Sequence, residues 1–598
     1  MKLKRIFISI VALMLAVCLM PTALAATWYL EDGDITVIAN ENGQSVKQGS
    51  NSAVADSDTV ITQRDSEKAT DNTITVSTTD DATANITIED VNINSYGDAI
   101  DVGSSGANIT LEGDNKLNSE YGSGLHVSDG DVTITGSGSL EAGSKNDSNN
   151  NAAIGSHENE AMSGDITIGG DAQVTAVSRD DGAGIGSGDM GEMSGDITIG
   201  DNAQVTAWSE TGGAGIGSGR ESNMSGNITI GGSAQVTAGS NSETAGIGSG
   251  NNGVFTSTGR VVIRDSAKVT AIGEDEGAGI GTGEDELMAG MIIIQDNAQV
   301  TAIAGDRAAA IGSDNRNEMT GTIIIIGNAR VTTGILDDDD VSFDYDTKEI
   351  KYTLDENAIG YIGDSKYSNH ESDEGHYIIG PDVTINGISG SDIEALKDYI
   401  NMRLSGENHD GEPENLTKLD VRSENGEFTV TAEGEGAVEK ILYGGSENVP
   451  TAPGTYPVTC VVRIGEETIE FQIGIYVVPE PAPQPVPMAH HERIQLYRVA
   501  DKQGSSIAYK AVQKGGVLTI TTDEKEAQLI IERGGMFALS RQGITKIVFV
   551  TASQKSVISV GAAMEKGSGE FVLLHSYRKV KLTIAGAAVD ADGILIKE

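Results

Sequence analysis

Short strings of alternating apolar and polar residues recur along the first half of the chain, separated by glycine-rich and polar turns. Residues 196–199 (DITI) and residues 203–207 (AQVTA) are two such strings, and residues 182–188 (GAGIGSG) form a third string of small residues. A period of two residues is typical of strands that bury one face. The pattern therefore predicts three short strands in each unit.

This unit repeats through the middle of the chain. An IGS or IGT string begins at Ile154, Ile185, Ile216, Ile247, Ile280 and Ile311, so that successive offsets are 31, 31, 31, 33 and 31 residues. Such a period is typical of stacked repeats that bury their core only against their neighbours. We predict an all-β chain with a right-handed parallel β-helix over residues 26–336. About ten coils stacked at about 4.8 Å give a rod of roughly 50 Å.

The repeats place equivalent residues in columns along the predicted rod. Three inward columns begin at Ile166, Ile168 and Val174, and each buried side chain contributes about 1.5–3 kcal/mol. One outward column holds threonine in the earlier repeats, but Val262, Ile293 and Ile324 in the last three. Contiguous apolar surface of this kind is usually covered. We expect the segment 337–415, with its helix around Leu396, to cover it.

Composition divides the remaining chain into further regions. Residues 1–25 have the basic start, apolar core and Ala-Leu-Ala end of a signal peptide. Residues 337–415 form an acidic connector with one short helix, and residues 416–478 form a small Ig-like β-sandwich, in which Cys460 is predicted to be a buried thiol. A proline-rich linker follows, then a C-terminal β-rich module; these two occupy residues 479–487 and 488–598.

Net charge separates the last module from the rest. The chain carries a formal charge of −49, whereas residues 488–598 hold 15 Lys plus Arg against 11 Asp plus Glu. An acidic body repels nucleic acid and anionic membranes, so we expect neither as a partner. No apolar stretch after the signal peptide approaches the roughly 20 residues needed to cross a bilayer, so we expect no transmembrane insertion.

Candidate ligand-binding residues lie on the outward face beside the AQVTA strand. Aromatic residues are scarce in the repeats, and Trp208 is the best candidate for stacking on a sugar, although an incidental apolar residue beneath a loop is the simpler interpretation. Ladders of hydroxyl and amide groups run beside it. They consist of Thr175, Thr206 and Thr237 and of Gln173, Gln204 and Gln235.

Candidate metal and catalytic residues are few. Asp337, Asp338, Asp339 and Asp340 offer carboxylates for Ca²⁺, but they lack the spacing of an EF-hand loop, and a solvated acidic loop is the preferred interpretation. Asp98 and Asp101 are the next best acidic pair, without an evident basic partner. The histidines, among them His126, show no zinc spacing. We therefore expect no enzyme and no certain cofactor, with Ca²⁺ as the possible exception.

Three strings of the sequence resemble known bacterial modules. The GAGIGSG and DITIGGDAQVTA repeats resemble secreted β-helical proteins of the carbohydrate-binding-domain type from Gram-positive anaerobes. The string LYGGSENVPTAPGTYPVTCVV resembles Ig-like modules of bacterial surface proteins, and GITKIVFVTAS resembles a C-terminal module of unknown function. The resemblance implies a protein that is secreted or associated with the cell surface of a Gram-positive bacterium.

Three functions remain open from the sequence. The first is a glycan-binding or adhesive β-helix whose partner is a polysaccharide or cell-wall polymer. The second is a passive stalk with binding only in the terminal modules, and the third is a polysaccharide lyase or hydrolase. In the C-terminal module, six basic residues are candidates for non-covalent binding to anionic wall polymers: Lys502, Lys510, Lys514, Arg578, Lys579 and Lys581.

Overall fold

The computed structural model describes most of the chain from residue 26 onwards. The residues outside this description are 1–25, 80–81, 145, 147–148, 285–286, 315–318, 356–357, 359, 364–374, 397–399, 402–415, 425–426, 435, 465–466, 479–495, 533–534, 565, 567–569, 578, 586, 590, 592–593 and 597–598. The predicted signal peptide and the predicted proline-rich linker therefore lie outside the described residues. The chain divides into two compact units, Met1–Glu480 and Pro481–Glu598.

The first unit contains the predicted parallel β-helix, built from three long sheets with one strand of each sheet in most coils. The first sheet consists of Thr27–Tyr29, Thr59–Thr62, Thr83–Glu89, Gly106–Glu112, Val132–Gly136, Ile166–Ile168, Ile197–Ile199, Asn227–Ile230, Arg260–Ile263, Met291–Ile294, Thr322–Ile325, His376–Ile379, Leu416–Glu424 and the antiparallel Glu427–Gly434. The second sheet consists of Asn92–Ser95, Asp114–Ser119, Ser139–Ser144, Gln173–Ser178, Gln204–Ser209, Gln235–Ser240, Lys268–Ile272, Gln299–Ala304, Arg330–Asp344, Thr384–Ile385 and the antiparallel strands Ile388–Ser389 and Glu349–Leu354.

The third sheet holds the short IG strands. It consists of Ile35–Asn40, Ile74–Thr78, Ile100–Gly103, Leu125–Val127, Ile154–Gly155, Ile185–Gly186, Ile216–Gly217, Ile247–Gly248, Ile280–Gly281, Ile311–Gly312, Ile362–Gly363 and Ile400–Asn401, with the antiparallel strands Gly43–Gln48 and Val54–Ala55 at its N-terminal end. Leu30–Asp32 forms a short 3-10 helix. Coils stack in parallel register from residue 27 to residue 418.

The predicted inward columns are confirmed. Ile166 pairs with Ile197 and Ile168 with Ile199, and the register continues coil by coil. All members of these columns are buried, and the aligned methionines at the corner of each coil are buried with them. The glycine of each IG strand is required by close stacking: a Cβ on Gly186, whose φ is +143°, would lie 1.7 Å from the carbonyl oxygen of Gly217.

The coils extend past the boundary predicted at residue 336. The sheets continue in parallel register through Ile362–Gly363, His376–Ile379 and Ile400–Asn401. Leu396 is buried in the core of the β-helix. The predicted short helix is present at Ile393–Leu396. The connector is thus largely a continuation of the rod, although its sequence has lost the regular 31-residue repeat.

The apolar outward column of the last coils is covered, as predicted, but the prediction of the segment that covers it was wrong. Ile293 and Ile324 pack against Val458, Cys460 and Phe471 rather than against the helix. The covering sheet consists of Gly436–Tyr443, Gly454–Ile464 and Glu467–Val478. Cys460 is buried and not disulfide-bonded, as expected. The sandwich region therefore uses the side of the rod as part of its own core.

A hairpin covers part of the second sheet. Its strands, Arg330–Asp344 and Glu349–Leu354, pair antiparallel and fold back over earlier coils. Phe343 and Ile350 pack there against Trp208. The tip of the hairpin reaches further, since the Lys348 ammonium lies 2.5 Å from a carboxylate oxygen of Glu141. This hairpin joins residues that are up to 207 positions apart in the sequence.

The second unit is β-rich, as predicted, with two mixed or antiparallel sheets around one core. One sheet consists of Tyr497–Ala500, Glu526–Ile531, Phe571–Ser576, Lys579–Ile584 and Ala587–Ala588, and the other of Lys510–Lys514, Val517–Thr521, Lys546–Val550, Lys555–Ser559 and Leu595–Ile596. Helices Gly535–Arg541 and Val560–Met564 complete it. Within the described residues of both units, no helix is long and apolar enough to cross a membrane.

His575 makes the stability of the second unit sensitive to acid. Its ring is buried beside Phe549, with Nε2 2.8 Å from the Ser556 hydroxyl, and burial lowers its pKa to about 4. In the unfolded chain the imidazole takes up a proton near pH 6.5, whereas the folded chain resists this until about pH 4. We expect up to about 3 kcal/mol of stability to be lost as the pH falls from 6.5 to 4.

Hydrogen exchange of the strand Phe571–Ser576 in the full chain measures this loss. Protection factors, corrected for intrinsic exchange, should fall between pH 7 and pH 4.5 in the wild type. In His575→Gln most of this fall in protection should disappear, because glutamine does not titrate. An equal fall in both proteins would contradict the assignment to His575.

Candidate functional site

Two histidines and three carboxylates converge on the N-terminal part of the rod. Asp98 and Asp101 come from one coil, His126 from the next, and His157 and Glu160 from the coil after that. The third sheet sets this arrangement, because Asp101 on Ile100–Gly103 pairs in register with His126 on Leu125–Val127. We refer to these five residues as the His–carboxylate cluster.

On one side of the cluster, nitrogens of both imidazoles face aspartates. His157 Nε2 lies 2.7 Å from Asp98 Oδ1, and His126 Nδ1 lies 2.9 Å from Asp101 Oδ1 and 3.8 Å from Asp98 Oδ2. One ligand atom from each of Asp98, His126 and His157 lies within 4.8 Å of the other two. The two rings are stacked, with centroids 3.8 Å apart and planes 4° from parallel.

On the opposite side, the remaining imidazole nitrogens face one glutamate. His126 Nε2 lies 2.8 Å from Glu160 Oε2, and His157 Nδ1 lies 3.6 Å from the same oxygen. The His157 backbone N–H donates to that oxygen at 3.3 Å, which fixes the position of the carboxylate. Glu160 therefore orients the His126 ring from behind and lies within ion-pairing distance of the His157 ring.

The carboxylates control the charge of the buried histidine. Burial alone would lower the pKa of His126, but hydrogen bonds to Asp101 and Glu160 and the charge of Asp98 outweigh it and raise this pKa to about 9. Burial opposes ionisation of Asp98 in the same way, yet its hydrogen bond with His157 leaves the pKa of Asp98 below its usual value. The cluster thus favours positive charge between its carboxylates.

Sequence reasoning missed this cluster because it searched for ligands at short intervals along the chain. The partners of His126 are 25 and 34 residues away, which are distances between coils rather than within a loop. One signal was available. His157 occupies a repeat position that is glycine in the following four repeats, namely Gly188, Gly219, Gly250 and Gly283. The expectation that Asp98 and Asp101 lack a basic partner was wrong.

A pair of exposed aromatic rings lies on the turn that leads into the cluster. Tyr96 is 76% exposed and Tyr121 is 51% exposed, and their ring centroids are 4.7 Å apart with planes tilted by 45°. The two residues occupy neighbouring coils, since the Tyr121 N–H donates to the Tyr96 carbonyl oxygen at 3.0 Å. Together they form a small exposed aromatic surface, two residues before Asp98 in the chain.

A polar cavity of about 320 Å³ opens on the second sheet of the same coils. Its lining consists of Ser66, Glu67, Asp90, Asn92, Asp114, Asn115, Lys116, Ser139 and Glu141. Asn92 begins the strand Asn92–Ser95, and Tyr96 follows directly after the end of that strand. The Lys348 ammonium at the hairpin tip contacts Glu141 at the edge of this cavity.

Trp208, the predicted stacking residue, is not available to a ligand. Its side chain is fully buried beneath the hairpin, and its Nε1–H donates to Glu210 at 2.6 Å. Tyr345 of the hairpin donates to the same carboxylate oxygen at 3.0 Å. Trp208 is therefore better described as an apolar residue beneath a covering segment of the chain than as a platform for a sugar.

The predicted threonine and glutamine ladders are present in register on the second sheet. Gln173, Gln204 and Gln235 form an exposed column, and Thr175, Thr206 and Thr237 form a partly buried one. The structure brings these side chains together along the rod. Ligand binding by the ladders stays a prediction.

The acidic run after the repeats is not a loop. Asp337, Asp338, Asp339 and Asp340 lie in the strand Arg330–Asp344, and the side chains of the last three are outside the described part of the chain. The interpretation as a loop was therefore wrong: the run lies within a strand, at a break in its pairing register between Leu336 and Val341. Ca²⁺ binding here stays a prediction.

The predicted wall-binding residues lie on different sheets of the second unit. Lys510 and Lys514 are exposed at the two ends of one strand, and Lys579 and Lys581 are exposed on a strand of the other sheet. Lys502 is paired with Glu526 at 3.2 Å, and Arg578 lies outside the described residues. Binding of these residues to an anionic polymer stays a prediction.

Comparison with known proteins adds no assignment. No family model matches the chain, and no curated protein or solved structure matches it. The class that the fold defines is a parallel β-helix with a β-rich second unit.

Proposed function

We propose that this chain is an extracellular glycan-binding protein whose binding surface comprises Tyr96, Tyr121 and the polar cavity beside them. The observation that carries the proposal is the exposed, contacting pair of tyrosine rings on a rod that otherwise has few aromatic residues. Exposed aromatic rings flanked by polar groups suit a sugar, because the apolar face of the sugar packs on an aromatic ring while its hydroxyls find hydrogen-bonding partners.

The neighbouring cavity supports a polymer rather than a single sugar. A polymer that follows the strand Asn92–Ser95 would reach from Tyr96 to Asn92 and Lys116, which line the cavity. Amide, hydroxyl, ammonium and carboxylate groups line that path and offer both donors and acceptors. One oxygen of Asn94, which lies between Asn92 and Tyr96, is buried without a hydrogen-bonding partner among the described residues.

Charge favours a neutral glycan. Glu67, Asp90 and Asp114 line the cavity together with the single cation Lys116 among its described residues. The whole chain carries a formal charge of −49, which repels acidic polymers over the Debye length of about 10 Å at 0.1 M salt. We therefore expect a neutral polysaccharide to bind more tightly than polygalacturonate.

Affinity electrophoresis of the full chain in gels containing soluble neutral polysaccharides tests the proposal. The wild type should be retarded, and the double variant Tyr96→Ala/Tyr121→Ala should lose at least tenfold in affinity, or about 1.4 kcal/mol. Tyr577→Ala is the matched control, because Tyr577 is 65% exposed but lies in the second unit. This control should migrate like the wild type.

Two outcomes would contradict the proposed surface. If the double variant is retarded as strongly as the wild type, binding lies elsewhere on the chain. If the wild type is retarded by none of a panel of neutral and acidic polysaccharides, the remaining function is that of a stalk or spacer.

A further inference from the structure

We propose that Asp98, Asp101, His126 and His157 form a binding site for a divalent transition metal ion such as Zn²⁺. The ion would bind His126 Nδ1, His157 Nε2 and the carboxylate of Asp98, whose ligand atoms already lie within 4.8 Å of one another. Asp101 Oδ1, at 2.9 Å from His126 Nδ1, would supply the fourth ligand, which is the second oxygen. This site is independent of the proposed glycan-binding surface.

The donor set selects the class of metal. Two imidazole nitrogens and carboxylate oxygens suit Zn²⁺, Ni²⁺, Cu²⁺ or Co²⁺, whereas Ca²⁺ requires six to eight oxygen ligands. Tetrahedral Zn²⁺ sites built from histidine and aspartate use Zn–N and Zn–O distances of about 2.0–2.2 Å. Rotation of one imidazole out of the stack, with small movements of the carboxylates, would satisfy these distances.

Glu160 gives a second, separate reason to infer a metal. Histidine ligands usually donate their other ring N–H to a carboxylate, which fixes the ring and strengthens the ligand nitrogen. Glu160 Oε2 lies 2.8 Å from His126 Nε2, so this carboxylate holds the His126 ring from the side away from the aspartates.

Binding of one ion by both imidazoles requires one ring to turn. The ring planes are 4° from parallel and the centroids are 3.8 Å apart, whereas a metal ion lies close to the plane of each imidazole that binds it. We therefore expect one imidazole to rotate out of the stack when the ion binds. The ion would also cross-link three successive coils of the rod.

Binding of Zn²⁺ to the full chain, measured by competition with a chromophoric chelator, tests this site. The wild type should bind one high-affinity equivalent. His157→Gly should weaken binding at least 100-fold, and this variant is matched to the fold because the following four repeats have glycine at that position. Glu160→Gln should weaken binding about 10- to 100-fold, since it removes the carboxylate behind the His126 ring.

Asp180→Asn is the control, because Asp180 lies on the turn after the strand Gln173–Ser178 and does not belong to the cluster. Its affinity for Zn²⁺ should equal that of the wild type. Co²⁺ bound to the wild type should show the visible absorption of a four- or five-coordinate site, and His157→Gly should abolish it. Stoichiometric Ca²⁺ binding without Zn²⁺ binding, or equal Zn²⁺ affinity in His157→Gly and the wild type, would overturn the proposal.

Discussion

Replacing Ile199 by aspartate is expected to cost the β-helix about 4–7 kcal/mol of folding free energy at neutral pH. Ile199 is fully buried in an inward column between Ile168 and Ile230. An aspartate there has only apolar neighbours in its column and must either lose its charge or leave the core. About 1.5–3 kcal/mol of this total is the lost burial of the isoleucine side chain.

Thr198→Asp is the matched control for this prediction. Thr198 is next in the chain, belongs to the same strand and faces outward, so its carboxylate would remain hydrated. We expect its unfolding free energy to stay within about 0.5 kcal/mol of the wild type, as for most surface substitutions. Far-UV circular dichroism and chemical denaturation measure both variants. Equal losses in the two would show that the assignment of faces is wrong.

The repeats were the most predictable part of this chain. Their period fixes which residues align, and the alternation within each string fixes which of them are buried, so the columns through Ile166, Ile168 and Val174 followed directly. The coils after residue 336 lack the regular glycine-rich strings, but their strands continue the sheets of the rod. Residues 362–363 and 376–379 stack as regular strands, yet the 31-residue period alone does not identify them.

Contacts between distant coils could not be predicted from a repeat, because a repeat specifies only neighbours. The hairpin is the clearest case, since Tyr345 contacts Glu210 across 135 residues and Lys348 contacts Glu141 across 207. Removal of one whole coil between them, such as residues 185–215, would therefore do more than shorten the rod. It would move Lys348 one coil along the second sheet, towards Lys116, the residue paired with Glu141.

The candidate sites were hidden for a related reason. Tyr96 and Tyr121 appear in the sequence as two scattered aromatic residues, and only the stacking of two early coils places their rings in contact. The sequence pattern favoured Trp208 over the tyrosines as a binding residue, because Trp208 stands on the outward face beside the polar ladders. The burial of Trp208 is decided by a covering hairpin that begins at Arg330, far later in the chain, and no local pattern contains that information.

Trp208 is expected to hold this hairpin in place. Its side chain is fully buried, stacks against Phe343 with centroids 6.2 Å apart, and packs with Ile350 in one apolar cluster. Truncation of a buried tryptophan to alanine costs about 3–5 kcal/mol, through lost burial and the cavity that remains. Much of the contact that is lost lies between the hairpin and the second sheet, so the hairpin should loosen before the coils do.

Hydrogen exchange of residues 341–354 in the full chain measures that loosening. Trp208→Ala should lower the protection of the hairpin by at least 100-fold, while the strands Ile197–Ile199 and Asn227–Ile230 retain most of theirs. Trp208→Phe serves as the control, because it keeps an aromatic ring and removes the Nε1–H bond to Glu210, at a cost of about 1 kcal/mol. Unchanged protection of the hairpin in Trp208→Ala would show that its anchor lies instead at its tip, in the contact between Lys348 and Glu141.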